Sequence, residues 1–223
     1  MSKFISADDA EKAKQILIIN VTRIGDTLLN TPAIRAVAKF FPNAAITCLG
    51  HAKRVEVLQN IPYIATVGDI DKKSAVLRGR LAAFTGKPYD WAFVWGDDAA
   101  LHRYALRVSK HVVAYRQKDE SLNAKFFHAA SAPALYSRHG VAIQLQLPLS
   151  VGIAPAGYGL DYVVTATEKQ QALLRLSINV KNAAPVIGLQ VSSFPTKAYR
   201  DWPIGHFSGA ACVEAYFRKF RRE

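Results

Sequence analysis

"QILIINVTRIGDTLLNTPAIRAVAKFF" (residues 15–41) decides how the chain is read. "QILIINV" (15–21) is a short, continuous apolar run rich in β-branched residues, the signature of a strand buried on both faces. "TPAIRAVAKFF" (31–41) reads as a helix, with Thr31 as its N-cap and Pro32 as its first residue. A second possibility starts the helix at Asp26 and leaves Pro32 inside it. Between strand and helix, Arg23, Gly25 and Asp26 bring a cation, a flexible backbone position and a carboxylate to the end of a buried strand.

The same alternation continues. "PNAAITCLG" gives a turn and a strand at 44–49, "AKRVEVLQN" a helix, and "YIATVG" a third strand. "KSAVLRGRLAAF" is helical, with Ala75, Leu81 and Phe84 near helical spacing. "DWAFVWG" (90–96) is another buried strand, "AALHRYALRVS" a helix and "KHVVAY" a strand. Strands alternating with helices specify βαβ units and a parallel sheet, so the fold class is α/β. Residues 139–150 alternate like a strand and have residue types equally suited to a helix. "TEKQQALLRLSI" (167–178) opens with a helix-start signal, and a second α/β unit begins near residue 184 with the strand at 186–191.

The 223 residues are half hydrophobic, enough for a real core, and carry 29 Lys and Arg against 17 Asp and Glu. The formal charge of +12 favours an anionic partner. Cys48 and Cys212 stand far apart and form no CxxC, so zinc-ribbon and redox-motif chemistry have no support. The N-terminus has no apolar signal region. The longest uncharged stretch, 140–160, holds four glycines and two prolines and does not read as a membrane span. The expectation is a protein at most peripheral to a membrane.

In open α/β sheets, ligands bind beyond the carboxyl ends of the strands. Asp26 belongs to that edge. It reads either as a general base, which takes a proton from an attacking hydroxyl, or as a helix N-cap. Asp97 and Asp98 in "WGDDA" (95–99) either bind sugar hydroxyls or cap the next helix. In "QVSSFPTKAYRDWP" (190–203), Ser192, Ser193 and the loop N–H groups can hold a phosphate. Lys197 and Arg200 can neutralise a diphosphate. The alternative there is a polar loop with surface cations. His51 reads as a solvent-facing loop histidine. No DxD and no histidine cluster points to a metal. The basic end, "YFRKFRRE", lacks any nucleic-acid-reading motif.

Three stretches in order resemble glycosyltransferase family nine, the ADP-heptose:lipopolysaccharide heptosyltransferases. They are "ILIINVTRIGDTLLNTPAIRAVAKFFPNAAITCLG", "YDWAFVWGDDAALHRYALRVSKHVVAY" and "VIGLQVSSFPTKAYRDWPIGHF", and together they lie within residues 15–208. The resemblance implies a GT-B fold, two Rossmann-like domains with the active site between them. Residues 1–160 would form the acceptor-side domain, 161–183 a linker and helix, and 184–223 the start of a nucleotide-sugar-binding domain. It also favours a helix at 139–150.

By position, the resemblance makes Asp26 the catalytic base and places Ser192, Ser193 and Arg200 at the donor diphosphate, with Lys197 as a further candidate. Arg23, Gly25, Asp97 and Asp98 fall on the acceptor side. The implied donor is ADP-heptose, transferred with inversion and without a metal or other cofactor. The implied acceptor is phosphorylated inner-core lipid A, met from the cytoplasm at the anionic inner face of the inner membrane. Nucleic acid is not an implied partner. The resemblance fades after about Ala210, and the family's later acidic residues and histidine have no counterpart. The expectation is therefore a chain that does not transfer sugar by itself. A non-catalytic binding module with the same fold is the second reading.

Overall fold

The computed structural model describes residues 3–134, 138–176, 189–190, 199, 201–203 and 205–209. The chain divides into two compact units, Met1–Ala166 and Thr167–Glu223.

The first unit begins with helix α1 (Ala7–Lys12), whose start is capped by the Ser6 hydroxyl accepting from the Asp9 N–H at 3.1 Å. Strand β1 (Gln15–Asn20) follows, then helices α2 (Ile24–Leu29) and α3 (Thr31–Phe40), β2 (Ala45–Gly50), β3 (Thr66–Asp69), α4 (Lys72–Thr85) and β4 (Tyr89–Trp95). Helix α5 (Ala99–Val108), β5 (Ser109–Tyr115), α6 (Glu120–Asn123), β6 (His128–Ala130) and α7 (Gly140–Leu149) complete the unit. The six strands are all parallel, in the order β3-β2-β1-β4-β5-β6. This is the Rossmann-like order, and the α/β expectation holds.

Alternate residues of each central strand feed two cores. Ile16, Ile18, Trp91, Phe93 and Val113 face the layer of α1, α3 and α7. Leu17, Ile19, Ala92, Val94 and Val112 face the layer of α4, α5 and α6. Both faces are therefore apolar, which is why β1 reads as a continuous rather than an alternating run. Ile18→Ala would leave a cavity costing about 2–5 kcal/mol.

The 31–41 helix differs from both expected starts. Helices α2 and α3 are separate and meet at Asn30, which occupies the cap position without a side-chain cap bond. Pro32 has no N–H to offer the residue four before it. Thr31 donates its hydroxyl in a bond of 2.8 Å to the Leu28 carbonyl, in place of that missing N–H. Thr31 is thus the first helical residue rather than the cap.

Residues 52–60 form only one 3₁₀ turn, Val55–Leu58, instead of a helix. Asn60, in the left-handed region at φ 64°, ends it. In α4, Ala75 is buried as its spacing suggested, but Leu81 and Phe84 are exposed. The helix reading of 139–150 is correct, with Pro148 inside the last turn.

Helix α8 (Ala166–Arg175), which leads into the second unit, buries none of its residues. Trp202 lies parallel to His206 with ring centroids 5.1 Å apart. The strand expected at 186–191 falls almost wholly outside the described residues.

Candidate functional site

Strand register places three loops on one edge. Asn20, the last residue of β1, pairs with Gly50 at the end of β2 and with Trp95 at the end of β4. The loops that carry Arg23–Asp26, His51–Arg54 and Gly96–Asp98 therefore leave the sheet from one row. The strand order reverses at β1, where β2 leads one way and β4 the other. A crevice opens at such a reversal because the two connections diverge to opposite faces of the sheet.

The β1–α2 loop is held from two sides. The Arg54 guanidinium donates to the Thr22 carbonyl at 3.0 Å. The Arg23 carbonyl accepts from the Thr27 N–H at 2.9 Å and from the Thr27 hydroxyl at 3.0 Å. Arg23 is exposed at the cap position of α2, and its side chain caps nothing. Gly25 faces open space: a Cβ built there would meet no atom within 4 Å. Its backbone is not left-handed, so the bare surface distinguishes this position, not the turn.

Asp26 sits in the first turn of α2, half-buried. Its carboxylate makes no hydrogen bond or ion pair among the described residues, and it caps no helix. The N-cap reading of Asp26 is thus set aside by the geometry. What remains is a carboxylate at the carboxyl edge of β1, on a braced loop, with its oxygens open to a ligand.

The two aspartates after β4 separate in role. Gly96, at φ +96°, makes a left-handed turn that a side chain would strain. Asp98 then caps α5 by accepting from the Ala100 N–H at 2.9 Å, and its other oxygen pairs with Lys72 at 3.1 Å. Asp97 is exposed and lines a cleft of about 400 Å³ with Arg116, Lys118 and Asp119. The loop behind that cleft is braced by a reciprocal pair of hydrogen bonds. Gln117 N–H donates to the Asn123 side-chain oxygen at 2.8 Å, and the Asn123 amide donates back to the Gln117 carbonyl at 2.9 Å. Two carboxylates beside two cations suit hydroxyl and phosphate groups.

Several site features were not anticipated. Arg54 was read only as part of a helix, though a cation after the second strand falls on the same edge as Asp26. Asn20 and Asn30 are buried, and their amide groups have no hydrogen-bond partner among the described residues. A polar residue ending an apolar strand was the available signal for Asn20. His102 is fully buried, its Nδ1 2.8 Å from the Asp98 carbonyl. That contact requires an Nδ1–H, and Nε2 has no hydrogen-bond partner among the described residues. Burial holds His102 below the ordinary imidazole range. His51 accepts from the Lys53 N–H at 3.2 Å. Ser192, Ser193, Lys197 and Arg200 lie outside the described residues.

No family model and no curated protein matches the chain. Among solved structures it is similar to the glycosyl transferase family 9 protein from Veillonella parvula, at a TM-score of 0.74 and 17% identity, covering 93% of this chain and 60% of that one. It is also similar to E. coli ADP-heptose lps heptosyltransferase II, at a TM-score of 0.60 and 17% identity, covering 74% of this chain and 51% of that one. An E. coli heptosyltransferase with ADP matches at a TM-score of 0.52 and 13% identity, over 67% of this chain and 51% of that one. The likeness is one of fold, and the chain spans between half and three fifths of these proteins.

Proposed function

We propose that this chain carries the acceptor-side half of a glycosyltransferase that moves a heptose from ADP-heptose to a phosphorylated lipopolysaccharide inner-core acceptor, with Asp26 as general base. The observation that carries the reading is the unengaged Asp26 carboxylate at the strand-order reversal. It occurs in a fold shared with a family 9 glycosyl transferase and two heptosyltransferases.

In this reading the acceptor hydroxyl approaches Asp26 over the bare surface of Gly25. The carboxylate takes its proton as the hydroxyl oxygen attacks the anomeric carbon, and inversion follows because the leaving ADP departs from the opposite side. Arg23 and the cations around Asp97 hold acceptor phosphates, while Asp97 accepts from sugar hydroxyls. Ser192, Ser193, Lys197 and Arg200 meet the donor diphosphate, whose charge grows as ADP leaves. The units would be an acceptor-side domain over 1–160, a linker and helix over 161–183, and the start of a donor domain over 184–223. The work would take place from the cytoplasm, at the inner face of the inner membrane.

The test is sugar transfer to lipid-borne inner-core acceptor from ADP-heptose, assayed with the chain completed by a nucleotide-sugar-binding second domain. Heptosylated product and stoichiometric ADP support the reading. Specific acceptor binding without any transfer would favour a non-catalytic binding module instead.

A further inference from the structure

Helix α4 is packed inside out with respect to residue size. Its small residues face the core: Ala75 and Ala82 are buried against α5 and the sheet. Gly79 lies between them, where an added Cβ would sit 3.1 Å from the Arg107 guanidinium. Small residues at this spacing let α4 and α5 approach closely. The large residues of α4 point the other way. Leu77, Leu81 and Phe84, spaced four and three apart, occupy one outward stripe and are 61%, 58% and 89% exposed. Three large apolar side chains held in water on one helix face need an explanation that scattered exposed leucines do not.

The surroundings of the stripe are cationic. Helix α4 contains no acidic residue. Arg80, Lys87 and Arg107 are exposed and make no salt bridge among the described residues. They line a groove of about 600 Å³ with Phe84 and Leu106. A second copy of this chain docked face to face across a two-fold axis would bring these cations against themselves with no α4 carboxylate to meet them. An anionic bilayer surface satisfies both halves of the pattern. Apolar side chains enter the boundary between headgroups and acyl chains, and the cations meet the phosphates.

We propose that the outer face of α4, with the Arg80–Lys87–Arg107 groove beside it, docks the protein on an anionic membrane through insertion of Leu77, Leu81 and Phe84. Helix α4 starts beside the edge that carries Asp26, where Lys72 pairs with Asp98, and runs away from it, so Phe84, Lys87 and Arg107 lie toward the opposite edge of the sheet. The docking face stands on its own residues, and its test needs no sugar transfer.

The experiment is co-sedimentation of the 223-residue chain with phosphatidylcholine vesicles, with and without phosphatidylglycerol, at about 0.1 M and 0.5 M salt. The expected result is binding that needs the anionic lipid and weakens with salt. Leu77→Ser/Leu81→Ser/Phe84→Ser should weaken it roughly tenfold or more, and Arg80→Gln/Lys87→Gln/Arg107→Gln should remove most of the anionic-lipid dependence. Leu160→Ser, another exposed apolar position, serves as the control and should bind as wild type. Circular dichroism checks that each variant is folded. A Phe84→Trp variant gives a second readout: its emission should be quenched by lipids brominated on their acyl chains, beyond any quenching of the parent chain. Absence of vesicle binding, undiminished binding by the triple serine variant, or no added quenching of Phe84→Trp overturns the proposal. So does a wild-type dimer that the triple serine variant dissociates.

Discussion

Lys72, the first residue of α4, bonds at 3.1 Å to Asp98, the cap of α5, whose other carboxylate oxygen accepts from the Ala100 N–H at 2.9 Å. One aspartate therefore ends the β4 loop, starts α5 and touches α4. Removing it as Asp98→Ala should cost about 1 kcal/mol, the usual worth of an N-cap. Asp98→Asn should cost only a few tenths of that, because asparagine caps as well and the exposed Lys72 pair adds little. Urea unfolding of the two variants checks the ranking.

Arg35 on α3 fastens the segment that leaves the first unit. Its guanidinium donates to the Ala156 carbonyl at 3.1 Å, to the Gly159 carbonyl at 2.8 Å and to the Asp161 carboxylate. Asp161 also accepts from the Tyr63 hydroxyl, and its backbone N–H donates to the Thr31 hydroxyl at 2.9 Å. Arg35→Ala would strand a partly buried carboxylate and two carbonyls, at a cost of about 2 kcal/mol. Limited proteolysis should then cleave within 154–161 faster than in wild type. Unchanged cleavage would mean that the segment is held by its apolar contacts instead.

His102 gives the fold a pH dependence of known sign. Burial lowers its proton affinity in the folded protein, while the unfolded imidazole titrates near about 6.5. The unfolded state thus binds more protons below that pH. This contribution is fully present above pH about 6.5 and is lost as pH falls toward the depressed folded value. His102→Leu should flatten the stability slope below pH about 6.5 by up to one proton's worth, roughly 1.4 kcal/mol per pH unit. Denaturant titrations at several pH values read the difference. Equal slopes in the two proteins would assign the acid sensitivity elsewhere, for example to the partly buried His128, whose proton affinity burial also lowers.

The sheet was legible because its central strands are buried on both faces, which leaves uninterrupted apolar runs at 15–21 and 90–96. The short edge strand β6 (His128–Ala130) was not, since three residues carry no pattern. Helix α4 was legible as a helix but not in its orientation. Its buried face is defined by close approach to α5 through Ala75, Gly79 and Ala82, and hydrophobicity points to the opposite face. Asp26 stands out as a candidate because a carboxylate after a buried strand lies at the carboxyl edge of the sheet. Which aspartate would be consumed as a cap was not legible, since Asp26 and Asp98 both follow strands and precede helices. Only the backbone shows that Asp98 meets the Ala100 N–H and that Asp26 meets none. The burial of Asn30 depends on tertiary packing that no local pattern encodes.

The central claim is that Asp26 is the base, and Asp26→Asn measures it most directly. The substitution keeps size and shape, and the wild-type carboxylate bonds to nothing among the described residues, so folding stability should change by less than about 0.5 kcal/mol. With the chain completed by a nucleotide-sugar-binding domain, turnover with ADP-heptose and inner-core acceptor should fall roughly 10²- to 10⁴-fold, the ordinary worth of general-base catalysis. A folded Asp26→Asn protein with turnover within about twofold of wild type would contradict the account.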